Sequence, residues 1–258
     1  MSSLEYAQAR MQGRLGARPD AASWRELDAI DNLGAYLDAL QRTPLRSWVA
    51  GLDARADLHE IDLRLRERFR AHVGEVARWS PPQWRPAVLW LSRLLDLPAM
   101  VHLVSGGAAL PWMAREPELR RLAERSGSGR AAAIPDFLRP DPRRAGTRAA
   151  APDPGGARAA WLAGWQRRWP ATDAETSQGL LAIAAKVLRH LQQFRRATPR
   201  EAWHVRAGLE RELRAVFRRS ALRPEAAFAY LGLAALGLER LRAQLVRRAL
   251  LRREPTLA

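Results

Sequence analysis

Apolar residues recur every three or four positions along most of this 258-residue chain. Leu58, Ile61, Leu65, Phe69, Val73 and Val76 form one stripe, while Arg64, Arg66, Glu67, Arg68 and Arg70 occupy the other face. Such spacing puts one side of a helix in a core and the other in water, and it predicts a helix over 58–78. Trp84, Val88, Leu91 and Leu95 predict another over about 82–96. Pro98 breaks it, a short helix follows to Val104, and Ser105-Gly106-Gly107 ends the block. Further helices are expected near 173–197, 199–219 and 224–250. In the last, Leu231, Ala234, Leu238, Leu241 and Leu245 step by three and four, a seam expected to be buried. Arg242, Arg247 and Arg248 fall off that seam and are expected to be exposed and available to a partner. No stretch alternates with period two and no Asn-Gly or Asp-Gly hairpin turn occurs. The predicted fold class is therefore all-α, a set of multi-helix bundles.

Helix starts carry the same message. A capping box pairs a short polar N-cap with Glu or Gln three residues on. The pattern occurs at Ser23–Glu26, Asp57–Glu60, Ser80–Gln83, Thr172–Glu175 and Thr198–Glu201, with Pro81 and Pro199 at the favoured first helical position. Thr43-Pro44 reads as a cap without the acid. Between Ser126 and Arg158, ten of 33 residues are Gly or Pro, from the Ser126–Gly129 run to Pro152–Gly156. This predicts a flexible linker or loop, 126–158, with Asp136-Phe137-Leu138 as a small docked turn. It divides the chain into an N-terminal helical half, 1–125, and a C-terminal half, 159–258, restarting at Trp161. Ala35-Tyr36-Leu37 and Ala229-Tyr230-Leu231 share a tripeptide in helical context.

Composition then narrows the chemistry. With no cysteine, disulfides, zinc ribbons, iron–sulfur clusters and thiol nucleophiles are excluded. The net charge is +16, yet Lys186 is the single lysine among 43 basic residues. An arginine bias of this kind fits GC-rich coding as well as a selected nucleic-acid surface, and an acidic protein or anionic lipid is an equal partner. The longest run without a charged or strongly polar residue, Ala226–Leu238, would rise only about 20 Å as a helix, short of the ~30 Å hydrocarbon core. The opening MSSLEYAQAR carries Glu5 and no apolar stretch, so neither a secretory signal nor a membrane span is expected.

Catalytic motifs are missing. No HExxH occurs, and His59, His72, His102, His190 and His204 show no i,i+4 pair. There is no phosphate loop and no GxSxG elbow. Carboxylates read as helix-face partners, Glu210 with Arg214 for one. No metal and no cofactor is expected. Tryptophan is abundant, with ten residues. Trp79, Trp84 and Trp90 surround one helix start. Trp161, Trp165 and Trp169 are spaced by four on one face, with Arg167 and Arg168 on another. Two readings stay open, packing of thin helical layers and a protein-docking surface, since Trp and Arg are favoured at interface hot spots.

Several ordered blocks resemble one family. Tyr6-Ala7-Gln8-Ala9-Arg10 resembles the Tyr-Ala-x-Ala-Arg opening of the V-type ATPase/ATP synthase C-subunit family, which includes the eukaryotic d-subunit. Trp24–Leu27, Tyr36-Leu37 through Thr43-Pro44-Leu45, and Glu60–Phe69 resemble the helices that follow. Leu95–Met100 resembles its Asp-x-x-Asn junction, with Pro98-Ala99 where Asn is usual. Pro224–Leu231 and Leu238–Arg242 resemble its closing helix. The resemblance implies related helical bundles forming a funnel, and a non-catalytic central-stalk adaptor that couples the rotor to the membrane ion-translocating ring. It implies rotor-ring and central-stalk subunits as partners, and a peripheral cytoplasmic place at the inner face of the cell membrane. Trp161, Trp165, Trp169, Arg242, Arg247 and Arg248 are then the candidate docking residues. The alternatives are a basic helical nucleic-acid-binding or protein-interaction protein and, behind them, an enzyme with a site assembled from scattered residues.

Overall fold

A computed structural model describes residues 3–104, 107–124 and 154–251. The fold is all-α, with no strand among the described residues. The α-helices are α1 (Ser3–Gly16), α2 (Ala21–Asp28), α3 (Leu33–Gln41), α4 (Arg46–Val49), α5 (Leu58–Trp79), α6 (Arg85–Trp90), α7 (Leu97–Val104), α8 (Pro117–Ala123), α9 (Pro154–Gln166), α10 (Ala174–Arg196), α11 (Pro199–Arg219) and α12 (Pro224–Leu250). Short 3₁₀ turns occupy Pro82–Trp84, Leu91–Leu95 and Pro111–Arg115. The single helix expected over 82–96 is thus broken into 3₁₀ and α pieces.

The chain forms two compact units, Met1–Val88 with Ala171–Ala258, and Leu89–Pro170. This division differs from one at 126–158, because the last helix returns to the first ones. α12 packs against α1, α3, α5, α10 and α11. Its first turns are buried on nearly every side, from Ala226 through Leu231 and on to Leu233 and Ala234. The Ala226–Leu238 run therefore lies in the central core helix of the larger unit, and no helix among the described residues is long and apolar enough to cross a membrane. The seam holds as expected, with Leu231, Ala234, Leu238, Leu241 and Leu245 all buried. Gly232 lets α12 approach α11, since a Cβ there would stand 2.9 Å from a Leu213 methyl. The two Ala-Tyr-Leu tripeptides play matching parts in this unit. Tyr36 and Tyr230 are both buried, Arg248 lies 3.7 Å from the first ring centre, and Arg18 lies 5.8 Å from the second. Burial pushes the Tyr36 phenol up to about 12 and raises Tyr230 as well.

In the smaller unit, Leu97, Met100, Leu103, Trp112, Leu119 and Leu122 form one core cluster with Trp161 packed against it. Most of 126–158, with Ser126–Gly129 and Asp136–Leu138, lies outside the described residues. Its last five positions, Pro154 to Arg158, already belong to α9, so the helix begins before Trp161.

Candidate functional site

The six candidate docking residues do not form one surface. Trp161, Trp165 and Trp169 do come together in the smaller unit. The first two rings are stacked with centres 6.0 Å apart, and the second pair meets edge-on at 4.9 Å. However, Trp165 is only 3% exposed, and Trp161 and Trp169 are half-buried. Trp90 donates to the Trp161 carbonyl at 3.0 Å, and the Arg168 guanidinium lies 3.7 Å from the Trp90 ring centre. Gly164 makes room, because a Cβ there would fall 2.6 Å from that indole. This is a packed interior rather than an open docking face. Spacing by four identified a shared face, but spacing cannot say whether that face looks inward.

Arg242, Arg247 and Arg248 belong to α12. Arg242 and Arg247 are exposed, and they pair with Asp62 and Asp31. The expectation fails at Arg248, which is 1% exposed. Its guanidinium donates to the carbonyls of Ile30 at 2.6 Å, Leu27 at 3.1 Å and Asp28 at 3.4 Å, and to Gln244 Oε1 at 2.7 Å. Carbonyls at a helix end lack intrahelical donors, and an arginine supplies several at once along a favourable dipole. Arg248 is therefore a buried cap for the end of α2.

A groove of about 400 Å³ opens in the larger unit. Its walls are the end of α1 with Arg14 and Arg18, the start of α2 with Asp20 and Trp24, the Pro44–Trp48 turn, His72 on α5, Trp203, Arg206, Glu210 and Arg214 on α11, and Tyr230 to Leu241 on α12. Five arginines face two carboxylates there. Arg14 pairs with Glu75, Arg214 with Glu210 at 2.7 Å, and Arg240 with Asp28 at 2.9 Å. Arg18 donates to the Leu233 carbonyl at 3.0 Å, and neither it nor Arg206 has a carboxylate at ion-pair distance among the described residues. Burial is the main cause that lowers the pKa of both, joined by the like charge of Arg214 for Arg18 and of Arg240 for Arg206. Arg240 lies 4.1 Å from the Trp24 ring centre and Arg206 lies 5.3 Å from that of Trp203.

His72 stands among rings, 5.2 Å from Trp48, 5.5 Å from Tyr230 and 6.4 Å from Trp79. It is 8% exposed, and burial pulls it down to about 4 although Glu75 lies 3.6 Å from Nδ1. Its Nε2 and a terminal nitrogen of Arg206 are buried without a hydrogen-bond partner among the described residues. Nothing in the sequence marks this groove, for its residues stretch from Arg14 to Leu241 and come from six parts of the larger unit.

A second feature lies where α10 passes into α11. Phe194 is 39% exposed and Trp203 is 50% exposed. The Arg206 guanidinium is 5.9 Å from the first ring centre and 5.3 Å from the second. Arg189, Arg196 and Arg200 are exposed on the same two helices, while Glu201 turns back to the helix start, its carboxylate accepting from the Thr198 backbone at 2.8 Å. The result is an exposed aromatic pair with one guanidinium beside both rings, on helices that expose further arginines.

No protein-family model matches this chain, and no curated protein or solved structure matches it either.

Proposed function

We propose that this chain is a docking protein that works by binding an acidic partner rather than by catalysis. The carrying observation is the exposed pair Phe194 and Trp203 with Arg206 beside both rings, on two helices that also expose Arg189, Arg196 and Arg200. Large aromatic rings held out in water are available for burial, and Trp with Arg dominates the energetic centres of interfaces. The exposed arginines of these helices favour a partner with acidic groups and speed its approach. A narrower form names the partner. The chain serves as a central-stalk adaptor of a V-type ATPase, set between rotor ring and stalk at the inner face of the cell membrane. Its support is the set of ordered blocks resembling the V-type ATPase C-subunit family.

The test mixes the purified chain with purified V-type central-stalk subunits and with the detergent-solubilised rotor ring. Co-elution is expected, and the Phe194→Ser, Trp203→Ser double variant is expected to lose it at an unchanged melting temperature. No complex with either component would remove the narrower reading. Steeply salt-dependent binding of single-stranded DNA instead would assign the patch to nucleic acid. A chain that binds none of the three overturns the docking proposal.

A further inference from the structure

We infer that the groove of the larger unit is a binding site for a small amphipathic anion, an aromatic or branched apolar body that carries a carboxylate or phosphate. The inference goes beyond the docking proposal and does not depend on it. A volume of about 400 Å³ lies within the range of small-molecule sites, ~300–1,000 Å³. The lining combines indoles and aliphatic side chains, Trp24, Trp48, Leu233 and Leu238, with a small number of charged groups. Such a mixture suits a ligand with an apolar body and one polar end.

The sign of that end follows from the arginines. Arg14, Arg214 and Arg240 already have carboxylates, while Arg18 and Arg206 have none at pairing distance among the described residues. Both feel Glu210, which is bound by Arg214, and Arg206 also feels Glu239, which lies outside the lining and beyond ion-pair distance among the described residues. Two partly desolvated guanidinium groups without a matching anion raise the energy of the free protein. An anion that accepts from both removes that cost, and the guanidinium fork matches carboxylate and phosphate oxygens. The buried nitrogen of Arg206 that lacks a partner becomes a donor to the ligand. At pH 7 His72 is neutral, so it adds no charge of its own to the groove.

Three probes test this by calorimetry at low salt: 2-naphthoate, 2-naphthyl phosphate and the neutral 2-naphthalenemethanol. Saturable one-to-one binding is expected for at least one anion, at least ten-fold tighter than the alcohol. The better of the two anions tells a carboxylate site from a phosphate site. Arg18→Gln and Arg206→Gln are each expected to weaken it at least ten-fold, with Arg247→Gln unchanged. Because Arg18 also holds the Leu233 carbonyl, Arg206→Gln is the decisive variant if Arg18→Gln fails to fold. Ligand-induced shifts of the His72 ring resonances are expected in the native chain. Equal affinity for alcohol and anions, no saturable binding, or full affinity in Arg206→Gln would overturn the inference. Phe194→Ser keeps naphthoate affinity on this account, so loss of docking and loss of ligand binding are read separately.

Discussion

Replacing Arg248 strips side-chain donors from the Leu27 and Ile30 carbonyls and one of two from the Asp28 carbonyl, which Arg247 also reaches. A buried acceptor left without its partner costs about 1–3 kcal/mol. Arg248→Ala is therefore expected to destabilise the chain by about 3 kcal/mol or more, and Arg248→Glu to unfold it, both read from urea midpoints. Its neighbour behaves differently. Arg247 is exposed and faces an exposed Asp31, so Arg247→Glu is expected to change the melting temperature little. Sequence placed both off the leucine seam and treated them alike, because a helical wheel shows where a residue points on its own helix and not which neighbour fills that direction. His72 sets a pH dependence. Its folded value of about 4 lies below the ordinary 6.5, so below pH 6.5 the unfolded chain takes up a proton that the native one refuses. Stability from this residue is complete above about pH 6.5 and falls as pH drops toward 4, by about 3 kcal/mol in all. Chemical denaturation at several pH values is expected to show this slope in the native chain and a flatter one in His72→Phe.

The helices were legible in the sequence; their ends were less so. α5, α11 and α12 match the expected spans within a residue or two, since an apolar stripe many turns long has one reading. Of the five capping patterns, Thr198–Glu201 forms the full reciprocal box and Asp57 caps α5. At α2 the cap is Asp20, with Ser23 donating to it, and at α10 it is Asp173, bonded to the Thr176 backbone. A carboxylate is as good an N-cap as a hydroxyl, and nearby polar residues compete for one start. Ser80 closes α5 instead of opening the next helix, its hydroxyl donating to the Val76 carbonyl at 2.7 Å. Between α11 and α12, Leu222 adopts φ +61°, a conformation suited to glycine. The leucine is also exposed, so little packing is lost on replacement. Leu222→Gly is expected to raise stability by about 0.5–1 kcal/mol, checked by the thermal midpoint.

At the scale of the molecule, the larger unit joins both ends of the described chain, and the smaller one is inserted between them. The sequence placed its division at a Gly/Pro-rich stretch, a cue to local stiffness that does not report which distant helices share a core. Amides of α5 and α12 are therefore expected to exchange hydrogen as one cooperative class although some 150 residues of chain separate them. Those of α7 and α9 should form a different class, and a single shared opening free energy for all four would refute the division. The same topology has a consequence in time. A ribosome delivers α1, α3 and α5 long before α12, so the apolar faces that clasp α12 emerge with nothing to cover them. The inserted unit, by contrast, has its helices close together in the chain and can close while synthesis continues. The nascent larger unit is then a chaperone client until its last helix leaves the exit tunnel, and a stall anywhere before Pro224 leaves its core without a centre.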